Sequence, residues 1–334
     1  MNEPIDFIIY WVDGNDPDWQ REYRKYKAGY GQDAGGKRYR DWENMRYWFR
    51  GVEKFAPWVN RIFFVTCGQV PEWLNRSHPK LEIVDHKDFI PSEYLPTFSS
   101  HPIELNFHRI RGLSEHFVVF NDDFFVLNYV RKEDFFETGI PKDILMEYPV
   151  MCGGNVPIFS NILVNNFNLI GRHFDRNEYR KRLRTKILSP KYGRYFFYNL
   201  LLSLIPFPRF FGILTPHFAR PYLKSVYQEV WEKEEKELDR VCRNRFRDST
   251  DLNIYIFRLW NLLKGNFAPG NIFKMGTMIP VMEDNQKIYE TVCSRKYKLI
   301  CLNDECGEEE FDTVKKKLID SFEKILPDKS GFEK

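Results

Sequence analysis

Residues 5–17 read IDFIIYWVDGNDP, and this stretch decides the fold. Ile5 to Val12 is a short apolar run that ends in a polar, Gly-bearing turn, which reads as a buried strand entering a loop. Working outward, Asp41 to Phe55 has an N-cap candidate, no proline, and Met45, Trp48, Phe49 and Val52 near helical spacing, so it reads as a helix. Between the two, the Gly- and Lys-rich segment Tyr23 to Tyr39 reads as a flexible loop. Arg61 to Thr66 (RIFFVT) is a second strand closed by Cys67-Gly68-Gln69, and Leu81 to Val84 is a third. Pro102 to Leu113 reads as a helix. His116 to Phe120 (HFVVF) is a fourth strand, meeting Asn121-Asp122-Asp123. Strands alternating with helices predict an α/β protein with a largely parallel central sheet. In such sheets ligands bind at the C-terminal strand ends, where Asp13-Gly14-Asn15-Asp16 and Asn121-Asp122-Asp123 both fall.

After residue 150 the character changes. Arg172 to Arg194 carries nine Lys/Arg against Asp175 and Glu178, a local charge of +7. Its composition suits an anionic surface, and the aromatic run Tyr195 to Leu214 beside it suits a membrane interface. The plainer reading is a solvated helix followed by a core segment. Ser225 to Arg243, Leu252 to Leu263 and Asp312 to Leu326 read as helices, the last closing the chain. Three parts result: an α/β half over 1–150, a basic and aromatic helical insertion over 151–214, and a last part over 215–334 that ends in the closing helix.

Composition narrows the function. With 17% aromatic and 43% apolar residues, the 334-residue chain can bury a large core, which excludes general disorder. A net charge of +3 gives no overall phosphate footprint, so a nucleic-acid partner is not expected. The six cysteines form no C-x-x-C pair and read as free thiols of a reducing cytoplasm. The longest uncharged stretch, Tyr195 to Pro208, is too short to span a bilayer, so a soluble or peripheral protein is expected.

Four groupings can carry chemistry. Asp122 and Asp123 after an apolar strand can hold a hard divalent cation against a diphosphate, or form an ordinary acidic turn. The turn at Asp13 to Asp16 can approach a ribose, base or metal, or be structural. His217 with Arg243, Arg245 and Arg247 can move a proton and neutralise a transferring phosphoryl group. Asn303-Asp304-Glu305 after Leu299 to Leu302 repeats the strand-then-Asn-Asp pattern and can complete a metal site.

In this order the pieces resemble the Stealth family of sugar-1-phosphate transferases, which includes bacterial capsular polysaccharide phosphotransferases and the catalytic subunit of N-acetylglucosamine-1-phosphotransferase. The matching stretches are IDFIIYWVDGNDPDW; Asp41 to Leu127, with LPTFSSHPIE and HRIRGLSEHFVVFNDDFFVL; Thr215 to Leu252, from TPHFARPYLKSV to RNRFRDSTDL; and KLICLNDE. Asn44 stands where the family usually has a carboxylate, Ser99 where Asn is commoner, and Arg111 where Pro is frequent.

The resemblance implies a nucleotide-sugar-transferase-like fold of Rossmann or GT-A type. It implies transfer of a hexose-1-phosphate, N-acetylhexosamine-1-phosphate in the usual case, from a UDP-sugar to a sugar hydroxyl. A phosphodiester forms and UMP is released, in capsule or cell-surface polysaccharide synthesis. Carried onto this chain, Asp122, Asp123 and Asp304 would hold Mg²⁺ or Mn²⁺, and Arg247, with Arg245, would neutralise the phosphoryl group. His217 would accept the proton, Asp123 and Glu104 would complete the catalytic set, and Asp13, Gly14, Gly68 and Gln69 would line the nucleotide pocket. The partners would be a UDP-sugar and an oligosaccharide or polysaccharide acceptor, lipid-linked or free, met in the cytoplasm or at the inner membrane face through 172–214. Two other readings compete: a metal-dependent glycosyltransferase releasing UDP, and a non-catalytic glycan- or membrane-binding protein.

Overall fold

The computed structural model describes residues 3–27, 39–150, 157–205 and 212–334. In chain order the strands are β1 (Ile5–Tyr10), β2 (Ile62–Thr66), β3 (Leu81–Asp85), β4 (His116–Phe120), β5 (Phe124–Val126), β6 (Phe136–Glu137), β7 (Ile140–Asp143), β8 (Arg220–Leu223), β9 (Ala268–Pro269), β10 (Gly276–Val281) and β11 (Leu299–Asp304). The helices are α1 (Pro17–Lys27), α2 (Met45–Phe55), α3 (Ser100–Leu105), α4 (Lys132–Phe135), α5 (Pro157–Ile170), α6 (Arg176–Arg182), α7 (Arg184–Ile187), α8 (Tyr195–Ser203), α9 (Lys224–Cys242), α10 (Tyr255–Lys264), α11 (Gln286–Ser294) and α12 (Phe311–Ile325).

The central sheet runs β3-β2-β1-β4-β8. Its first four strands are parallel, and β8 closes the edge antiparallel to β4. This is the largely parallel α/β sheet the sequence predicts. Strands β1, β2 and β4 are almost wholly buried, because helices and loops cover both faces, and that is why they read as continuous apolar runs. A second sheet, β10-β11-β5, grows directly from the acidic turn after β4. Residues 215–334 supply β8 to one sheet and β10 and β11 to the other, so the chain's last third completes structures begun by its first.

Four expectations are corrected. Tyr23 to Lys27 is the end of α1 and not loop. Asp16 Oδ1 accepts from the backbone N–H of Asp18 and Trp19, and Pro17 occupies the first helical position. Tyr23 then buries against Phe98 and Phe246; residues 28–38 of the expected loop lie outside the described residues. The helix expected from Asp41 starts at Met45, since Asp41–Asn44 form a turn with Glu43 at φ +53°. The helix expected over Pro102–Leu113 stops at Leu105, where buried Asn106 turns its side-chain N–H onto the Pro102 carbonyl. Beyond it is only a short turn of 3₁₀ helix at Phe107–Arg109.

The fourth correction concerns Arg172–Arg194, which is two short helices and not one solvated helix. Arg176 is buried in a two-pronged pair with Glu147 at 2.7 and 2.6 Å. Arg182 and Lys186 cap the C-terminal carbonyls of α10 and its exit, at Leu263, Lys264, Gly265 and Phe267. Nor is Tyr195–Leu214 a core segment throughout. Phe197, Leu201 and Leu204 are 68%, 63% and 75% exposed. Residues 206–211 of that run, and Cys152, lie outside the described residues; Cys67, Cys242, Cys293 and Cys301 are free thiols.

Candidate active site

In the sheet order β3-β2-β1-β4 the direction of chain progression reverses between β1 and β4. Above the C-terminal ends of that pair lies a cavity of about 960 Å³. An open α/β sheet places its ligand at such a switch point. Asp122, Asp123, Glu104, His217, Arg247 and Asp304 all line this one cavity. Residues as far apart in the chain as Glu104 and Asp304 thus meet through the fold: β4 delivers the acidic turn, α3 delivers Glu104, and β11 delivers Asp304.

The acidic turn is fixed from behind. Asn121 O accepts from Phe124 N–H at 3.1 Å, and Asp123 O accepts from Leu302 N–H at 2.9 Å, which locks the turn between the two sheets. Asp122 is open to the cavity but enclosed by protein on its other sides. That enclosure, with the charge of Asp123 next to it, pushes its carboxyl up to about 7. Asp123 divides its two oxygens. Oδ2 stands 3.4 Å from His217 Nε2 and accepts from the Cys301 thiol at 3.2 Å, whereas Oδ1 is buried with no hydrogen-bond partner among the described residues. Burial and Asp123 push the Cys301 thiol far up, so it stays protonated as a donor. Burial pulls the His217 imidazole down, but contact with Asp123 outweighs it and the net shift is upward. His217 Nδ1 is 3.4 Å from the Tyr255 hydroxyl. Both ring contacts are long, so neither fixes the ring's proton.

An orphaned carboxylate oxygen beside a second carboxyl of raised pKa fits a divalent cation. A cation there satisfies Oδ1 and supplies the counter-charge that Asp122, raised by burial and then by Asp123, otherwise lacks. Asp123, His217 and Cys301 also offer ligand atoms within 4.8 Å of one another.

Glu104 is buried, and its Oε1 accepts from the Tyr10 hydroxyl at 2.8 Å. Arg247 donates to Ser100 Oγ at 3.2 Å and faces the cavity. Asp304 lines the cavity too, but both its oxygens are engaged by Arg40, at 2.7 and 2.9 Å, and Oδ2 also accepts from Trp42 Nε1 at 3.2 Å. As arranged, Asp304 pins Arg40 at the cavity wall.

The remaining residues lie outside the lining. Asp13 and Gln69 bond each other reciprocally, Asp13 N–H to Gln69 Oε1 at 2.8 Å and Gln69 Nε2 to Asp13 O at 2.9 Å, which ties the β1 and β2 loops together. Gly14 packs under Tyr39, whose carbonyl oxygen would be 2.0 Å from any Cβ placed there. Gly68 holds φ +91° in the turn after β2. Arg245 turns away, donating to Pro96 O at 2.7 Å and stacking on Tyr26.

Sequence reasoning missed Arg40, Tyr10 and the pair His101–Asp251. His101 Nδ1 lies 2.8 Å from Asp251 Oδ2, both residues are buried, and Asp251 also receives Asn244 Nδ2 and Asp248 N–H. That pair braces the arginine-bearing loop 243–251 against α3. Its only signal was a His beside the Pro-Ile-Glu match.

Fold and cavity together define an α/β protein whose acidic, arginine-lined pocket opens at the sheet's switch point. Two family models match the chain: Stealth protein CR1, conserved region 1, over residues 3–31, and Stealth protein CR2, conserved region 2, over residues 38–143. A capsular polysaccharide phosphotransferase, WcwK of Streptococcus pneumoniae, is 40% identical over 99% of this chain and 98% of its own. The receptor polysaccharide phosphotransferase WefC of Streptococcus oralis is 38% identical over the whole of both chains. The exopolysaccharide phosphotransferase cps2G of Lactiplantibacillus plantarum is 37% identical over 99% and 96%. Among solved structures, an apo bifunctional glycosyltransferase, WbbM, matches 96% of this chain and 50% of its own at 9% identity and a TM-score of 0.36, too low to carry an argument about fold. The chain belongs to the Stealth family.

Proposed function

We propose that this chain, a phosphotransferase of polysaccharide synthesis by its family, transfers a hexose-1-phosphate from a UDP-sugar to a sugar hydroxyl and releases UMP. The observation that carries the reading is the Asp122–Asp123 pair, with an unpartnered carboxylate oxygen, in the same cavity as Arg247 and His217. The acceptor oxygen attacks the phosphorus nearer the sugar and a new P–O bond forms. The bond to the bridging oxygen breaks, and its electron pair leaves with UMP. Such a transfer asks the protein chiefly for positioning and charge neutralisation.

Asp122 and Asp123 Oδ1 would hold Mg²⁺ or Mn²⁺, which when bound supplies charge neutralisation at the diphosphate. Arg247 faces the transferring phosphoryl group, and Arg40, held by Asp304, adds a second cation at the same wall. His217, turned by Asp123 Oδ2, takes the acceptor's proton, and Glu104 orients a substrate hydroxyl. The joined β1 and β2 loops, with Asp13, Gly14, Gly68 and Gln69, border the nucleotide end, and Arg245 supports them through Tyr26. An N-acetylhexosamine donor and a cytoplasmic location, where nucleotide sugars are supplied, complete the proposal.

The test is incubation with a panel of UDP-sugars, Mg²⁺ or Mn²⁺ and an oligosaccharide acceptor, followed by identification of the nucleotide. UMP supports the proposal. UDP would transfer the reading to a glycosyltransferase that breaks the anomeric C–O bond.

A further inference from the structure

Helix α8 is built inside out. Its one fully buried side chain is polar: Asn199 is 2% exposed and donates to the carbonyls of Leu145 and Ile187 at 2.9 and 2.7 Å. Phe197, Tyr198, Leu200 and Leu201 on the helix and Leu204 just after it are exposed. A helix packed on a soluble core shows the reverse arrangement. An apolar face of this kind marks a surface that meets something other than water.

Charge indicates what it meets. From residue 179 to residue 228 the chain has ten Lys/Arg and no Asp or Glu. Several of these cations are spent internally, as Arg182 and Lys186 are on α10, but Lys181, Arg184 and Arg194 are exposed and form no ion pair among the described residues. Arg194 immediately precedes α8, and α7, which begins at Arg184, ends at the Ile187 carbonyl that Asn199 holds, so these two cations belong to the elements at the helix. An apolar stripe with such cations beside it complements an anionic bilayer surface, where the ring and leucine side chains enter the acyl boundary and the cations meet headgroup phosphates. A second copy fits worse, because isologous pairing would bring two cationic flanks together. At nine residues, roughly 14 Å, α8 lies on a membrane and cannot cross it. No helix among the described residues is long and apolar enough to span one.

We infer that α8, with Leu204 and the neighbouring Arg184 and Arg194, is a docking surface for anionic phospholipid bilayers. The inference rests on the proposed function in one respect: transfer to a lipid-linked acceptor is what would give the chain a reason to work at a membrane.

The experiment is co-sedimentation of the purified full chain with vesicles of equal parts phosphatidylglycerol and phosphatidylcholine, against vesicles of phosphatidylcholine alone. Wild type should sediment with the anionic vesicles, and less so at high salt. The triple variant Phe197→Ser/Leu201→Ser/Leu204→Ser should lose about tenfold or more in partition, with its melting temperature unchanged. Arg184→Glu/Arg194→Glu should weaken binding to the anionic vesicles alone. Nucleotide release with a short water-soluble acceptor should be the same in wild type and triple variant. Wild type that ignores anionic vesicles, or a triple variant that still sediments with them, overturns the inference. So does a dimer that the triple substitution turns into a monomer, since the face then belongs to a second copy. Absence of nucleotide release from every protein would instead count against the proposed reaction, leaving the vesicle result to stand.

Discussion

Removing the carboxylate of Asp143 should cost more stability than almost any other single change outside the core. Asp143 ends β7 at 5% exposure and takes two arginines. Arg258 donates from Nε at 2.6 Å and Nη2 at 2.9 Å, and Arg220 from Nη1 at 3.2 Å. Burial alone would raise the Asp143 carboxyl, but the two guanidiniums outweigh it and hold it below the usual range. Arg220 is itself pulled down by burial and by Arg258, the cost of placing two cations on one anion.

Asp143→Ala leaves both guanidiniums buried without a counter-charge, a loss of about 3–5 kcal/mol. Spread over a melting entropy of about 2 cal/mol/K per residue, that is a fall in Tm of about 4–7 °C. The damage should also reach the cavity. Arg258 donates to Leu214 O at 2.9 Å and Arg220 to Pro216 O at 2.7 Å, so the pair fixes the backbone just before His217.

Thermal unfolding followed by circular dichroism measures the loss. Its sign with pH is set, because a depressed carboxyl contributes above its unfolded pKa of about 3.9 and loses that contribution as pH falls further. The gap between wild type and variant should therefore close on acidification below about pH 4. Asp143→Leu combined with Arg220→Met and Arg258→Met should recover much of the loss, since no charge is then left unpaired. An Asp143→Ala protein melting within about 1 °C of wild type would refute the reasoning.

Asp123→Ala should abolish turnover while leaving Tm nearly unchanged, because Oδ1 has no partner among the described residues to lose and Oδ2 holds only a weak thiol donor and a long histidine contact. Activity within about tenfold of wild type, some 1.4 kcal/mol of transition-state stabilisation, would remove Asp123 from the proposed metal site. Between pH 7 and pH 5 two buried histidines should work against stability. Burial pushes His86 down to about 4 and His108 down to about 3, so the unfolded chain takes up protons there that the fold refuses. Each removes on the order of 2 kcal/mol over that window, opposed by Asp122, whose carboxyl at about 7 takes up its proton in the folded chain, and by His217, whose shift is upward. His86→Gln/His108→Gln should therefore shift the slope of melting temperature with pH toward greater stability at pH 5, and a slope that the double substitution leaves unchanged would contradict this.

The sheet was legible in the sequence because β1, β2 and β4 are covered on both faces and so read as unbroken apolar runs. The acidic turn was legible because it follows such a run. Helix α1 announced itself too, through Asp16 and Pro17, but the Gly and Lys content further on masked it. The environment of each side chain was less visible. No spacing shows that Asp304 engages Arg40, or that Arg245 faces Tyr26 while Arg247 faces the cavity, since alternate residues of a loop point apart only once the loop is packed. The basic segment misled for a related reason. Composition counts charges, whereas Arg176, Arg182 and Lys186 are set among Glu147 and the open carbonyls of α10. Only tertiary packing separates those from the exposed cations.

The identity of the released nucleotide separates sugar-phosphate transfer from glycosyl transfer. With a UDP-sugar, Mg²⁺ or Mn²⁺ and an oligosaccharide acceptor, wild type should release UMP in step with a new phosphodiester, and neither should form after chelation or in Asp123→Ala. Release of UDP, or UMP that persists undiminished in chelator and in Asp123→Ala, would contradict it.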